Sequence, residues 1–372
     1  MAAKKRKKSR RFVTAMDDSG GHAALLHPDG RRILTDSQPF VGVGSVTMRE
    51  ELVPFFVARW NRLREKIGRE LGLANPPPIH ARWMWGAQRA DKHKNPYVNA
   101  TNEQAAEWLT EAATILRDYQ RHRNEFGLFV GYLSRAEMQD WFEPYYTDPD
   151  FEAERIFLRS RAIPLGLYKE FHRATAYPLF RVLPLALVSE YQSMTRVGGT
   201  SLSVLLDNFT GADGVKAEDV SRAVRDLAQL DKVESLEVVD SYANSALVQA
   251  ADVMAWAGNR LATKNHLGDP DAPFRARFGP LLQEARTVSG TRVLGGVKLP
   301  SGVGMTTLCV PYALARSAVH KKHPEFVDRM FVSVEEFHDR AITALETGKK
   351  GVHVLTAEGQ AMAEAYLLAS KK

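Results

Sequence analysis

Three acidic segments, far apart along the chain, carry the residue types that could do chemistry. Asp17-Asp18-Ser19-Gly20 closes an early β-prone run, Asp207-Asn208 closes a later one, and Gln249-Ala250-Ala251-Asp252 lies inside an apolar helical stretch. Desolvating an unpaired carboxylate costs several kcal/mol unless something compensates it. Strand ends and buried helices are therefore poor places for such acids without a counter-charge. Carboxylate oxygens are the donors that hard divalent cations such as Mg2+ and Mn2+ take. Two such ions about 4 Å apart stabilise both the attacking and the leaving oxygen of an in-line displacement at phosphorus. Asp17, Asp207 and Asp252, brought together by folding, would serve as metal ligands of that kind of site.

The residues around these acids divide by role. Asp18 alternates to the opposite face of its strand and ranks below Asp17. Asp252 is flanked by Leu247, Val248, Val253, Met254 and Trp256, so it reads as buried, with Gln249 and Trp256 sharing its helical face. Gln249 would support substrate or water. His80, just after Pro76-Pro77-Pro78, reads either as a proton shuttle or ligand near the acids or as a loop histidine with a backbone partner. Arg82 and Arg89 interleave with Trp83, Trp85 and Tyr97, a mixture suited to phosphate contact and base stacking. Bland readings stand beside these. Asp17 and Asp207 also suit turn initiation, and Asp252 also suits a buried ion pair. No phosphate-loop ending, Ser/His/Asp motif or Cys/His zinc spacing stands out.

Elements that could position the acids are legible in the periodicity. Residues 12–16, 40–46, 126–133, 202–206 and 236–239 read as strands, with a weaker one around residues 23–26. Helical spacing covers residues 49–71, 102–121, 217–230 and 245–261. Residues 135–196 read as a mostly helical insertion broken or kinked at Pro164, Pro178 and Pro184. Residues 266–372 form a C-terminal extension that opens on the linker Asp269-Pro270-Asp271 and ends in two helices, with no ligand cluster of its own. The expected organisation is thus a basic tail over 1–11, a core over 12–265 and the extension over 266–372.

The chain of 372 residues is long enough to bury a large core. Seven of its positive charges lie in residues 4–11, so the remainder carries −1 against the +6 of the whole. Lys4, Lys5, Arg6, Lys7 and Lys8 would contact phosphates from a mobile tail. A solubilising tail and a nuclear-targeting run are the other readings of the same residues. The single cysteine, Cys309, fits a reducing compartment. Without an apolar leader or a membrane-length apolar run, the expected location is the cytoplasm, with no membrane partner.

On the Asp17-Asp18-Ser19-Gly20 strand end, the Asp207 strand end and the Gln249-to-Asp252 helix segment, the chain resembles the domain-of-unknown-function-3800 family. The resemblance spans about residues 12–265. It implies an α/β, ribonuclease H-like fold, a mixed sheet flanked by helices with the acids converging at one end. Many members also carry a Glu-x-His segment, which here is Pro78-Ile79-His80, so the histidine is kept and the acid is lost. The expected activity is Mg2+- or Mn2+-dependent cleavage of DNA or RNA, in mobile-element or phage defence. The alternative is a catalytically weak nucleic-acid-binding or assembly protein, with protein partners or self-association through the C-terminal extension.

Overall fold

The computed structural model describes residues 10–20, 24–27, 29–33, 38–85, 95–122, 124–160, 179–207, 217–227, 229–239, 245–268, 272–289, 309, 312–317, 319–349 and 351–371. Its centre is a six-stranded mixed sheet. The strands are β1 (Arg11–Ser19), β2 (Phe40–Arg49), β3 (Phe126–Ser134), β4 (Ser201–Asp207), β5 (Val233–Val239) and β6 (Arg286–Ser289), in spatial order β5-β4-β1-β2-β3-β6. β1, β2 and β3 pair antiparallel in sequence, whereas β4 lies parallel to β1, β5 parallel to β4 and β6 parallel to β3. This is an α/β fold of the ribonuclease H-like type.

Because side chains alternate along a strand, each central strand feeds two cores. Phe12 and Met16 of β1, Val41 and Val43 of β2, and Phe129 and Leu133 of β3 point into one. Ala15, Val46, Met48, Leu128 and Val130 point into the other. Burial on both faces explains why β2 is an almost continuous apolar run, buried at every position before Arg49.

The helices are α1 (Val53–Glu70), α2 (Ala81–Met84), α3 (Asn102–Gln120), α4 (Arg135–Thr147), α5 (Glu152–Arg159), α6 (Leu179–Arg196), α7 (Ala217–Leu227), α8 (Ala246–His266), α9 (Ala272–Glu284), α10 (Pro324–Met330), α11 (Val334–Thr347) and α12 (Ala357–Ser370). α1, α3, α8 and α9 cover one face, with Phe56, Trp60, Trp108, Phe274 and Phe278 fully buried there. α5, α6 and the C-terminal helices share the core on the other face. None of these helices is long and apolar enough to cross a membrane.

Several local expectations change. Among the described residues no strand forms between β1 and β2; only an isolated bridge joins Leu26 to Arg32. On its other edge β2 pairs with β3, from much later in the chain. Pro184 lies inside α6 rather than breaking it. Residues past 265 also join the sheet, because β6 pairs with β3 and α9 packs into the core beside α8.

Candidate active site

The acids are placed by register. In the parallel pair β1–β4, Met16 lies opposite Leu206, so the next residue on each strand is an aspartate, Asp17 and Asp207. Neighbouring strands run about 4.8 Å apart. Asp17 is on the same face as Ala15, which is the face that α8 covers. The chain leaves β1 towards β2 on one side and leaves β4 towards β5 on the other. In open α/β sheets this reversal leaves a crevice at the carboxyl ends of the strands, where ligands bind.

Asp252 comes from α8, which lies unusually close to the sheet. A Cβ on Gly44 would meet the Ala255 backbone nitrogen and come within 2.5 Å of the Ala251 carbonyl oxygen. Gly42 likewise faces Asn259 and Ala255, and Gly258 of the helix faces Val130. Two strand glycines and a run of small helical residues thus let backbone pack on backbone. At the far end, Asn259 Nδ2 donates to the Ser19 carbonyl at 2.9 Å and to Ser19 Oγ at 3.1 Å, tying α8 to the end of β1. Gly20 follows with φ of +82°, in the left-handed region that favours glycine. Its carbonyl accepts from Arg135 Nη2 at 2.6 Å.

The acids feel one another. Burial raises the Asp17 pKa well above the ordinary aspartate value, and the charges of Asp252, Asp207 and Asp18 raise it further. A bond from the Asp18 backbone N–H to Asp17 Oδ1, at 2.6 Å, acts in the opposite direction. Among the described residues Asp17 forms no ion pair with lysine or arginine. Burial also raises Asp252, as does Asp207, while His80, the Ala81 N–H and Arg82 pull it down. Asp252 Oδ2 accepts from Ala81 N at 2.7 Å and stands 3.6 Å from His80 Nδ1. Asp18 pairs opposite Val43 and faces the other core.

His80 is the residue before α2, and its ring stacks on Trp83 at 4.6 Å with an 8° tilt. Arg82 is exposed and within electrostatic reach of Asp252. Gln249 is buried, its Oε1 accepting from Trp60 Nε1 and from Ile79 N, each at 3.1 Å. It therefore meets protein groups rather than open space, which differs from the expected contact with substrate or water. Pro78 offers no side-chain oxygen, and its carbonyl accepts from the Tyr97 hydroxyl at 2.6 Å. Lys4, Lys5, Arg6, Lys7, Lys8 and Arg89 lie outside the described residues. Sequence reasoning missed Asn259 and Gly44, although a glycine in an otherwise apolar strand is itself a sign of close backbone approach.

The donor set is three carboxylates, hard oxygen ligands of the type Mg2+ and Mn2+ take. Among the described residues, no three His, Cys, Asp or Glu side chains stand close enough to form a closed metal-holding cluster. The acids interact through space, at longer range than shared ligation.

No family profile matches the chain, and no curated protein matches it. One similar solved structure is a PCNA:RNase HII complex from Archaeoglobus fulgidus, at 14% identity, covering 79% of this chain and 93% of that one, with a TM-score of 0.26. The strand order and the senses of pairing, not this likeness, define the fold.

Proposed function

We propose that the protein is a divalent-metal-dependent nuclease of the cytoplasm, acting on phosphodiester bonds of DNA or RNA, and that it is related to the domain-of-unknown-function-3800 proteins it resembles. One observation carries this reading. Asp17, Asp207 and Asp252 come from three separate parts of the chain to one end of the sheet, where burial and then the charges of Asp252 and Asp207 raise the pKa of Asp17, and among the described residues no lysine or arginine pairs with it. Buried acids that raise one another's pKa favour a positive partner, and perturbed carboxylates of this kind cluster at functional sites. Asp17, Asp207 and Asp252 would hold Mg2+ or Mn2+, which when bound supplies Lewis-acid stabilisation of charge on phosphate oxygens. His80, beside Asp252, would move a proton to or from the reacting water or leaving group. Arg82 would meet a substrate phosphate. A role in mobile-element or phage defence accompanies this reading, with the C-terminal extension available to protein partners.

A binding-only protein on the same fold is the second reading. Pro78 favours it, because it stands where the resemblance places an acid and its carbonyl is committed to Tyr97. Thermal melts of the parent and of D17N, D207N and D252N, in chelator and in Mg2+ or Mn2+, separate metal binding from a structural role. Cleavage of labelled DNA and RNA then separates catalysis from binding. Metal should stabilise the parent and stabilise each variant less. If D252N melts far below the parent in chelator and metal shifts none of the four, the nuclease reading falls.

A further inference from the structure

The segment from Pro76 to Ala81 has few groups with which to hold itself. Its three prolines carry no N–H, so its donors are Ile79, His80 and Ala81. The carbonyls are held by side chains of the α1–α3 layer. Arg64 donates from Nε to Pro77 O and from Nη2 to Pro76 O, both at 3.0 Å, and the Tyr97 hydroxyl donates to Pro78 O. The two amides flanking His80 both turn to α8, Ile79 N to Gln249 Oε1 at 3.1 Å and Ala81 N to Asp252 Oδ2 at 2.7 Å.

The geometry explains why the helix carries this pair of acceptors. Residues three apart share a helix face and differ by about 4.5 Å along its axis. Amides two residues apart in extended chain point the same way and are separated by roughly 6.6 Å; His80 between them is extended, with φ −131° and ψ 106°. A glutamine, one methylene longer than aspartate, spans that difference. Two donors, the Trp60 indole and the Ile79 amide, converge on one atom of Gln249. That atom must be the amide oxygen, with a lone pair for each.

We propose that Gln249 is a positioning residue: together with Asp252 it grips the backbone on both sides of His80 and sets the imidazole against the Asp252 carboxylate. The catalytic consequence rests on the nuclease reading, whereas the clamp itself rests on geometry alone. Leucine at this position would fill the volume but leave the Trp60 and Ile79 donors without their acceptor. Glutamate would keep the acceptor.

The test uses the full chain and the variants Q249L and Q249E, with three measurements. The first is hydrogen exchange over residues 76–84, where the prolines make Ile79 the first amide to report. The second is the NMR position of the His80 ring protons, which the stacked Trp83 ring displaces. The third is the affinity for Mn2+ alone. Q249L should exchange roughly tenfold faster at Ile79 and Ala81, and its His80 resonances should move towards those of a free histidine. Its Mn2+ affinity should fall at least about tenfold. Q249E should retain parent exchange and parent His80 resonances. A glutamine that merely stabilises the fold would lower the melting temperature and leave the His80 resonances and Mn2+ affinity of the folded protein unchanged, which overturns the proposal. Should Q249L fail to fold, Q249E decides, since a folded Q249E with fast exchange at Ile79 would equally overturn it. A parent that binds no Mn2+ sinks the nuclease reading, while the exchange and resonance measurements still judge the clamp.

Discussion

The two faces of the sheet surround their buried carboxylates differently. On the α6 face, Glu190 is fully buried and accepts from the Ser45 hydroxyl. Glu154 of α5 is also fully buried and receives Val354 N at 3.2 Å on one oxygen and His353 Nδ1 at 3.2 Å on the other. Those acids are matched to donors and join parts of the chain, Glu154 linking the helical insertion to the C-terminal extension. On the α8 face, Asp17 and Asp252 are buried near each other and near Asp207, and each raises its neighbour's pKa or has its own raised. One face uses its acids as fasteners. The other also fastens with an acid, Asp252 accepting from Ala81 N, but sets that acid beside Asp207 and Asp17, whose charges oppose one another.

That contrast is most exposed at Glu154. Replacing it with leucine removes the acceptor of Val354 N and the partner of His353. The cost should be about 3 kcal/mol, the low end for a broken buried pair because the His353 side chain is 40% exposed. Urea unfolding of E154L measures it, and a cost below about 1 kcal/mol would remove the contrast. Gly44→Ala probes how closely α8 lies on the acid-bearing face. A new Cβ there meets helix backbone, which cannot rotate away, so we expect about 2 kcal/mol of destabilisation in urea and weaker metal binding as α8 is pushed off the sheet.

Asp17→Asn should have the opposite sign in chelator. With one charge removed from the cluster, the variant should be as stable as the parent or more so, on the order of 1 kcal/mol for each pKa unit relieved. The pH dependence follows from the raised pKa. The folded protein holds the Asp17 proton to higher pH than the unfolded chain does, so the parent loses stability as pH rises from the ordinary aspartate value of about 3.9 through the folded value. Asp17→Asn should flatten that part of the stability–pH curve, and equal slopes in parent and variant would count against the coupling.

The smallest effect belongs to His353. Its pKa is raised, first by the bond to Glu154. Its contribution is therefore complete below the unfolded value of about 6.5 and lost as pH rises through the folded value. At 40% exposure this amounts to a few tenths of a kcal/mol. His353→Gln should remove the loss of stability expected as pH rises past about 6.5 without changing metal binding.

Much of this was legible in the chain. Short β-prone runs bounded by turn residues placed β1, β3, β4 and β5 within a few residues. Alternation set Asp17 and Asp18 on opposite faces, since the period of two admits no other outcome. The apolar surroundings of Asp252 announced its burial. The strand expected around residues 23–26 did not form, because a short apolar run becomes a strand only when a neighbour is there to pair with it. Tertiary structure alone decided the rest. The Met16–Leu206 register, which makes Asp17 and Asp207 neighbours, depends on pairing segments separated by almost two hundred residues. The depth of Asp252 depends on Gly42 and Gly44 meeting α8, and the role of Gln249 depends on an extended segment ending near its amide oxygen. Residue type and local period determine which groups a segment can offer and which way they point. Which of those groups meet is a property of long-range packing, and here it is long-range packing that brings three separate aspartates within electrostatic reach of one another.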